Sequence, residues 1–171
     1  MAFKIRSFSA LGAIVVVASA AVLSIAVAGP TSVPFKASLV TQEVLHLDPA
    51  TCRTVPYLVG VTTGSGHASH LGAITVIASD CVIPPPLGGA AFMFANGKLT
   101  VTAANGDELS AEYGGTFTPT ATPPIYLING TYRIIGGTGR FSGASGLGTL
   151  QGIENLVTFQ GQVQLSGTIS Y

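Results

Sequence analysis

Charge is scarce in this sequence. Of 171 residues only seven are Lys or Arg and seven are Asp or Glu, and the net charge is zero. A chain so nearly neutral lacks the basic footprint that nucleic acid or an anionic membrane surface requires. Cysteine is scarcer, with Cys52 and Cys81 alone. There is no Cys-x-x-Cys and no set of ligands at metal spacing, so the sequence offers no metal site and no cofactor motif. No Gly-x-Ser-x-Gly elbow is present either, which removes the usual frame for nucleophilic acyl transfer. Beyond residue 28 no segment carries apolar residues at helical spacing.

What is present begins with a leader. Lys4 and Arg6 precede an apolar run from Phe8 to Val27, and Ala26-Val27-Ala28 offers a small-x-small site before Gly29-Pro30. This reads as a secretory signal over residues 1–28, cut after Ala28. The run is long enough to span a bilayer, so an uncleaved anchor is the rival reading. Cleavage removes 28 of 171 residues and leaves a single domain, 29–171, with no membrane span. Taking Lys4 and Arg6 from the seven basic residues leaves five, against seven acidic ones. Export, whether extracellular or periplasmic, makes a Cys52–Cys81 disulfide the default. A loop of that length stabilises a fold by about 3–4 kcal/mol in the chain-entropy model.

The exported part reads as strand after strand, rich in Val, Ile, Thr and Gly. Val33–Leu47 is extended, Asp48-Pro49-Ala50-Thr51 turns, and Val55–Thr63 is a second strand. His70–Ile83 alternates cleanly and stops at Pro84-Pro85-Pro86, because proline cannot continue a ladder. Asn96-Gly97 predicts a two-residue hairpin between strands 90–95 and 98–103. Asn105-Gly106 then turns into Glu108–Thr118. Ile125–Ile135, Leu147–Gly152 and Val157–Tyr171 complete eight or nine strands, which calls for an all-β barrel or sandwich. The last strand sets Val163, Leu165 and Ile169 on one face against Gln160, Gln162 and Gln164 on the other.

Between two of these strands lies Gly136-Gly137-Thr138-Gly139-Arg140-Phe141-Ser142-Gly143-Ala144-Ser145-Gly146. As a phosphate cradle it fails: Ser142 occupies the sixth place of the dinucleotide pattern, and no lysine is near. The remaining reading is a tight barrel connection in which Phe141 plugs an end and Arg140 bonds backbone carbonyls. With Tyr132-Arg133-Ile134-Ile135 before it, this stretch resembles the dirigent and allene oxide cyclase superfamily, and most nearly its small secreted bacterial members. Gly64-Ser65-Gly66-His67-Ala68-Ser69-His70-Leu71-Gly72 is similar to a second element of those chains. The resemblance implies an antiparallel eight-stranded, calycin-like β-barrel and makes a homo-oligomer, a trimer, plausible. It also implies a scaffold that holds a small apolar or aromatic molecule; plant members guide phenoxy-radical coupling or cyclise an unstable fatty-acid epoxide. Gly136, Gly137, Gly139, Arg140, Phe141, Gly143 and Gly146 carry the structural turn.

With so few charges, each one inside a strand invites a question. Glu112 shares a face with Ser110 and Thr116, and Arg133 alternates with Tyr132 and Ile134. Pointing into a barrel mouth, Glu112 is a base with a raised pKa and Arg133 an anion ligand. Pointing outward, both are solvated or paired, and period-2 alternation favours that placement. His70, with His67 three residues before it, is either a structural hydrogen-bonding residue or a ligand or proton carrier; the first reading is favoured. Three functions follow: a ligand-binding barrel, a cyclase- or dirigent-like enzyme, or an envelope or extracellular structural protein with a filled barrel.

Overall fold

Phe35, Ala37, Leu39, Thr41 and Glu43 are buried, while Lys36, Ser38, Val40 and Gln42 between them are exposed. That alternation is the signature of a strand with one face on a core, and it defines β1, Val33–Leu47. The computed structural model describes residues 31–85 and 90–171; the expected leader and its cleavage site after Ala28 lie outside the described residues. Seven more strands follow: β2 Leu58–Ala68, β3 Gly72–Ile83, β4 Phe92–Ala103, β5 Glu108–Pro119, β6 Ile125–Gly137, β7 Ser145–Asn155 and β8 Gln160–Ser170. Each pairs antiparallel with its neighbour in sequence, and β8 closes on β1 through pairs such as Ala37 with Leu165. The result is a closed eight-stranded up-and-down barrel. Its interior is just wide enough for side chains or one small ligand.

The structure departs from the sequence pattern at Asn96-Gly97. There is no hairpin: β4 runs straight through, and its register against β5 jumps from Phe94–Gly115 to Gly97–Tyr113. Against β3 it jumps at the same place. One surplus residue on β4 is a β-bulge, and Asn96 supplies the positive φ of 58° that Asn-Gly also brings to a turn. Closure decides between the two outcomes. A hairpin here would leave β3 and β5 without the long strand that both pair with. The bulge also resets the pleat, so that Phe94 before it and Leu99 and Val101 after it all face inward.

Further differences concern strand ends, among them those of β2 and β7. β2 starts at Leu58 rather than Val55, since Pro56 cannot donate to a ladder, and it continues to Ala68. β7 extends past the expected Gly152 to Asn155, which carries Glu154 into the barrel wall.

The two ends of the barrel differ. At one, the glycine-rich connection between β6 and β7 makes a single 3-10 turn, Gly139–Phe141, and drops the Phe141 ring into the bore at 0% exposure. Tyr171 meets that ring edge-on at 5.0 Å, and Leu109, Ala144 and Ile169 pack around it. Arg140 donates to the His70 carbonyl, as its reading as a backbone-bonding residue expects. At the opposite end, the disulfide joins Cys52, in the β1–β2 connection, to Cys81 near the end of β3, with Cα atoms 5.5 Å apart. With Val59 the two sulfurs form a small buried cluster of their own.

Candidate functional site

The braced end opens inward. Its mouth is an apolar vestibule of about 280 Å³ bounded by Leu45, Pro56, Leu58, Phe92, Leu156 and Phe159, with Glu43 at its floor. Below Glu43 lies a smaller cavity of about 70 Å³ with walls including Leu39, Ala78, Phe94, Leu99, Phe117 and Ile128. One aromatic wall runs from rim to floor. Phe92 stacks on Phe117 at 4.7 Å, Phe117 meets Phe94 edge-on at 5.2 Å, and Phe94 lies 5.9 Å from Tyr113. Such rings offer a large, stiff apolar surface at little entropic cost.

Strand parity brings three carboxyl groups to this apolar floor. Glu43 shares the inward face of β1 with Leu39 and Thr41, Asp80 that of β3 with Val76 and Ala78, and Glu154 that of β7 with Leu150. Glu43 and Asp80 are 7% exposed and Glu154 5%. Glycines make the room. A Cβ at Gly60, on the strand between Glu43 and Asp80, would overlap Glu43 Oε1 and stand 3.4 Å from Asp80 Oδ1. A Cβ at Gly161 would stand 2.6 Å from Thr41 Oγ1 and 3.7 Å from Glu154 Oε2. On the far wall, the bulged Gly97 leaves space for the Tyr113 ring, which a Cβ would approach to 2.6 Å. Tyr113 Oη, so placed, donates to Asp80 Oδ2 at 2.6 Å.

Burial governs how these acids hold protons. It pushes Glu43 up to about 9, with the charges of Glu154 and Asp80 adding to the effect. Glu43 therefore keeps its proton at neutral pH and donates it to Glu154, which burial also raises while that hydrogen bond pulls it back. Asp80 is raised to about 6 by burial, against the lowering effect of the Tyr113 hydroxyl. Tyr113 itself is pushed up by burial and by the neighbouring Asp80 charge. Among the described residues three buried side-chain oxygens have no hydrogen-bond partner: Asp80 Oδ1 and Glu154 Oε1 here, and Tyr132 Oη toward the plugged half. Every Lys, Arg and His among the described residues is exposed. The floor thus holds negative charge with no countercharge beside it among the described residues.

No protein-family model matches the sequence, and neither does any curated protein. Among solved structures, a pterocarpan synthase dirigent protein superposes with a TM-score of 0.52 over 87% of this chain and 95% of its own, at 14% identity. The fold is that of a dirigent-like barrel. At this identity the likeness is one of architecture alone.

Within the dirigent-like barrel, Glu112 and Arg133 do come together, but on the outside. They are a cross-strand pair of β5 and β6, and Arg133 donates to Glu112 Oε2 at 2.6 Å. Lys98 holds the other oxygen at 2.5 Å. These cations keep the Glu112 carboxyl below its ordinary range, the reverse of what a poised base needs. The reason is parity: on β5 the inward positions are Leu109, Ala111, Tyr113 and Phe117. His70 sits in the β2–β3 turn at the plugged end, donating from Nε2 to the Pro34 carbonyl at 2.8 Å, with its own carbonyl taken by Arg140. His67 lies on the outer face of β2. Among the described residues no group of three or more His, Cys, Asp or Glu is arranged to hold a metal ion. Glu43, Asp80, Tyr113 and Glu154 were not singled out from the sequence. The signal for the first two was their parity with neighbouring apolar residues.

Proposed function

We propose that this protein is an exported, disulfide-braced barrel that takes a small apolar or aromatic molecule through the end that the described residues leave open. The observation that carries this reading is the asymmetry of the bore: Phe141 and Tyr171 stopper one end, while the other opens onto an aromatic-walled vestibule. Its volume, about 280 Å³, sits at the lower edge of ordinary ligand pockets, roughly 300–1,000 Å³. That size favours a one-ring molecule over a long-chain lipid. The plugged half of the barrel, packed with Phe35, Tyr132, Leu109 and Phe141, is what a filled structural barrel would look like throughout. The open half is not packed in that way. Export is supported by the leader pattern and by the buried Cys52–Cys81 bridge. A homo-oligomer would use the outer face of β7, β8 and the part of β1 beyond Lys36, where Val40, Val44 and Leu147 are exposed among glutamines.

A second reading, an isomerase- or cyclase-like enzyme, is favoured by one observation. Glu43 is a carboxylic acid that stays protonated at neutral pH on the vestibule floor, where it can act as a general acid on a bound molecule. Confinement against the aromatic wall would supply the positioning that such a reaction needs.

Native mass spectrometry of the protein recovered from its own secretion tests the first reading. A retained small molecule that is lost on denaturation is the expected result. Repeated recovery of the bare chain, with no thermal shift from an apolar and phenolic library, overturns both small-molecule readings.

A further inference from the structure

We infer that the floor of the vestibule is a subsite for an organic ammonium ion, the protonated amine of a ligand whose apolar body lies along the aromatic wall. This rests on the reading of the open half as a ligand site and names the chemical class that the site would select. Three facts converge on it. Asp80 and Glu154, both more than nine-tenths buried, line the same small cavity, and each has an oxygen with no hydrogen-bond partner among the described residues. The described Lys, Arg and His side chains are all exposed, so no described side chain offsets these carboxylates. The cavity of about 70 Å³ holds roughly two water-sized groups, which suits an ammonium head and its first methylene and little more.

The remaining chemistry fits the same class of ligand. A buried carboxylate without a partner is expensive, and a cation bearing hydrogen-bond donors relieves it. An ammonium ion has three N–H donors, and Asp80 Oδ1 and Glu154 Oε1 are free acceptors for two of them. Phe94 and Phe117, beside the cavity, present ring surface to a cation. Near neutral pH, Glu43 holds the proton that it shares with Glu154, and Asp80 is largely ionised, so the floor attracts positive charge. A carboxylate ligand would be repelled, and a neutral alcohol would leave the charge uncompensated.

Isothermal titration of the full exported chain at pH 7.5 with phenethylamine, phenethyl alcohol and phenylacetate is the test. The amine is expected to bind at least tenfold more tightly than either isostere. Asp80→Asn and Glu154→Gln should each weaken amine binding at least tenfold while leaving the alcohol unchanged. Circular dichroism of both variants checks that the barrel is intact, and phenethylamine titrated at pH 5 should bind more weakly in the parent as Asp80 takes up a proton. Equal binding of amine and alcohol, or full amine affinity in both variants, overturns the ammonium subsite and leaves the apolar-ligand reading standing. Saturable binding of calcium chloride alone that displaces the amine also overturns it, in favour of an inorganic cation. Absence of binding by all three organic probes counts against the subsite and the ligand reading together.

Discussion

Tyr113 on β5 donates its phenolic hydrogen to Asp80 on β3 at 2.6 Å, across the face of the β4 strand that separates them. The contact exists because β4 is bulged at Asn96 and carries no side chain at Gly97, where the tyrosine ring must pass. It ties Asp80 on β3 to the aromatic wall that β4 and β5 form beside it.

Tyr113→Phe removes that bond and leaves Asp80 Oδ2 unpaired in an apolar setting. The variant is expected to lose about 2 kcal/mol in urea unfolding at pH 7.5, since hydrogen bonds to charged groups are worth about 1.5–3 kcal/mol. The loss should shrink at pH 4.5, where Asp80 is protonated. Carboxyl resonances followed by NMR titration should show Asp80 titrating above its parent value of about 6, because the hydroxyl is what holds it down.

Stability should fall as pH rises from mildly acid to alkaline. Asp80 goes from 3.8 to about 6 and Glu43 from 4.5 to about 9, so the folded state binds these protons more tightly than the unfolded chain does. Their contribution is complete below about pH 4. It is lost through pH 4–6 for Asp80 and through pH 4.5–9 for Glu43. Asp48 and Glu112, lowered by their hydrogen bonds, work in the opposite sense at the acid end. Thermal melts from pH 4 to 9 should therefore give a maximum near pH 5. Glu43→Gln, which fixes the neutral form, should flatten the alkaline limb and be more stable than the parent at pH 8. A Glu43→Gln variant that is less stable than the parent at pH 8 would count against a protonated Glu43.

Gly60→Ala tests whether the glycine is there for the acids. The added methyl meets the Glu43 carboxyl and stands 3.4 Å from Asp80 Oδ1, so Glu43 must turn into the cavity. Overpacking of this kind costs about 1–3 kcal/mol. Chemical denaturation should register that loss. The combination Gly60→Ala with Glu43→Ala should recover part of it, because the clash is then gone.

Replacing both Cys52 and Cys81 with Ser opens a loop of 29 residues' separation. The expected destabilisation is about 3–4 kcal/mol, read from denaturant midpoints under non-reducing conditions. Limited proteolysis should cut the 48–57 connection first, because that segment loses its anchor at the rim.

Much of the architecture was legible in short-range pattern. β1 begins and ends where the extended reading of Val33–Leu47 puts it, and the glycine-rich connection places Phe141 and Arg140 in the roles their chemistry suggests. Asn96-Gly97 misled because its positive-φ preference serves a bulge as well as a hairpin, and only the pairing of β4 on both sides chooses between them. The site was harder to see. Glu112 stood out as an acid in mid-strand, yet its neighbours Ala111 and Tyr113 are the inward pair. Glu43 and Asp80 were in phase with Leu39 and Val76 all along, but an acid on an apolar face looks like a solvated one until its surroundings are known. Those surroundings come from β1, β3, β5 and β7, spread over more than a hundred residues, so no local pattern could assemble them.

Because Phe141 seals one end, the molecule is a cup and not a pipe. A molecule bound at the acidic floor, as proposed, would leave by the rim it came in through, so a second guest would wait for the first. On that proposal the shape would suit capture and slow surrender, not handing a molecule straight through the bore.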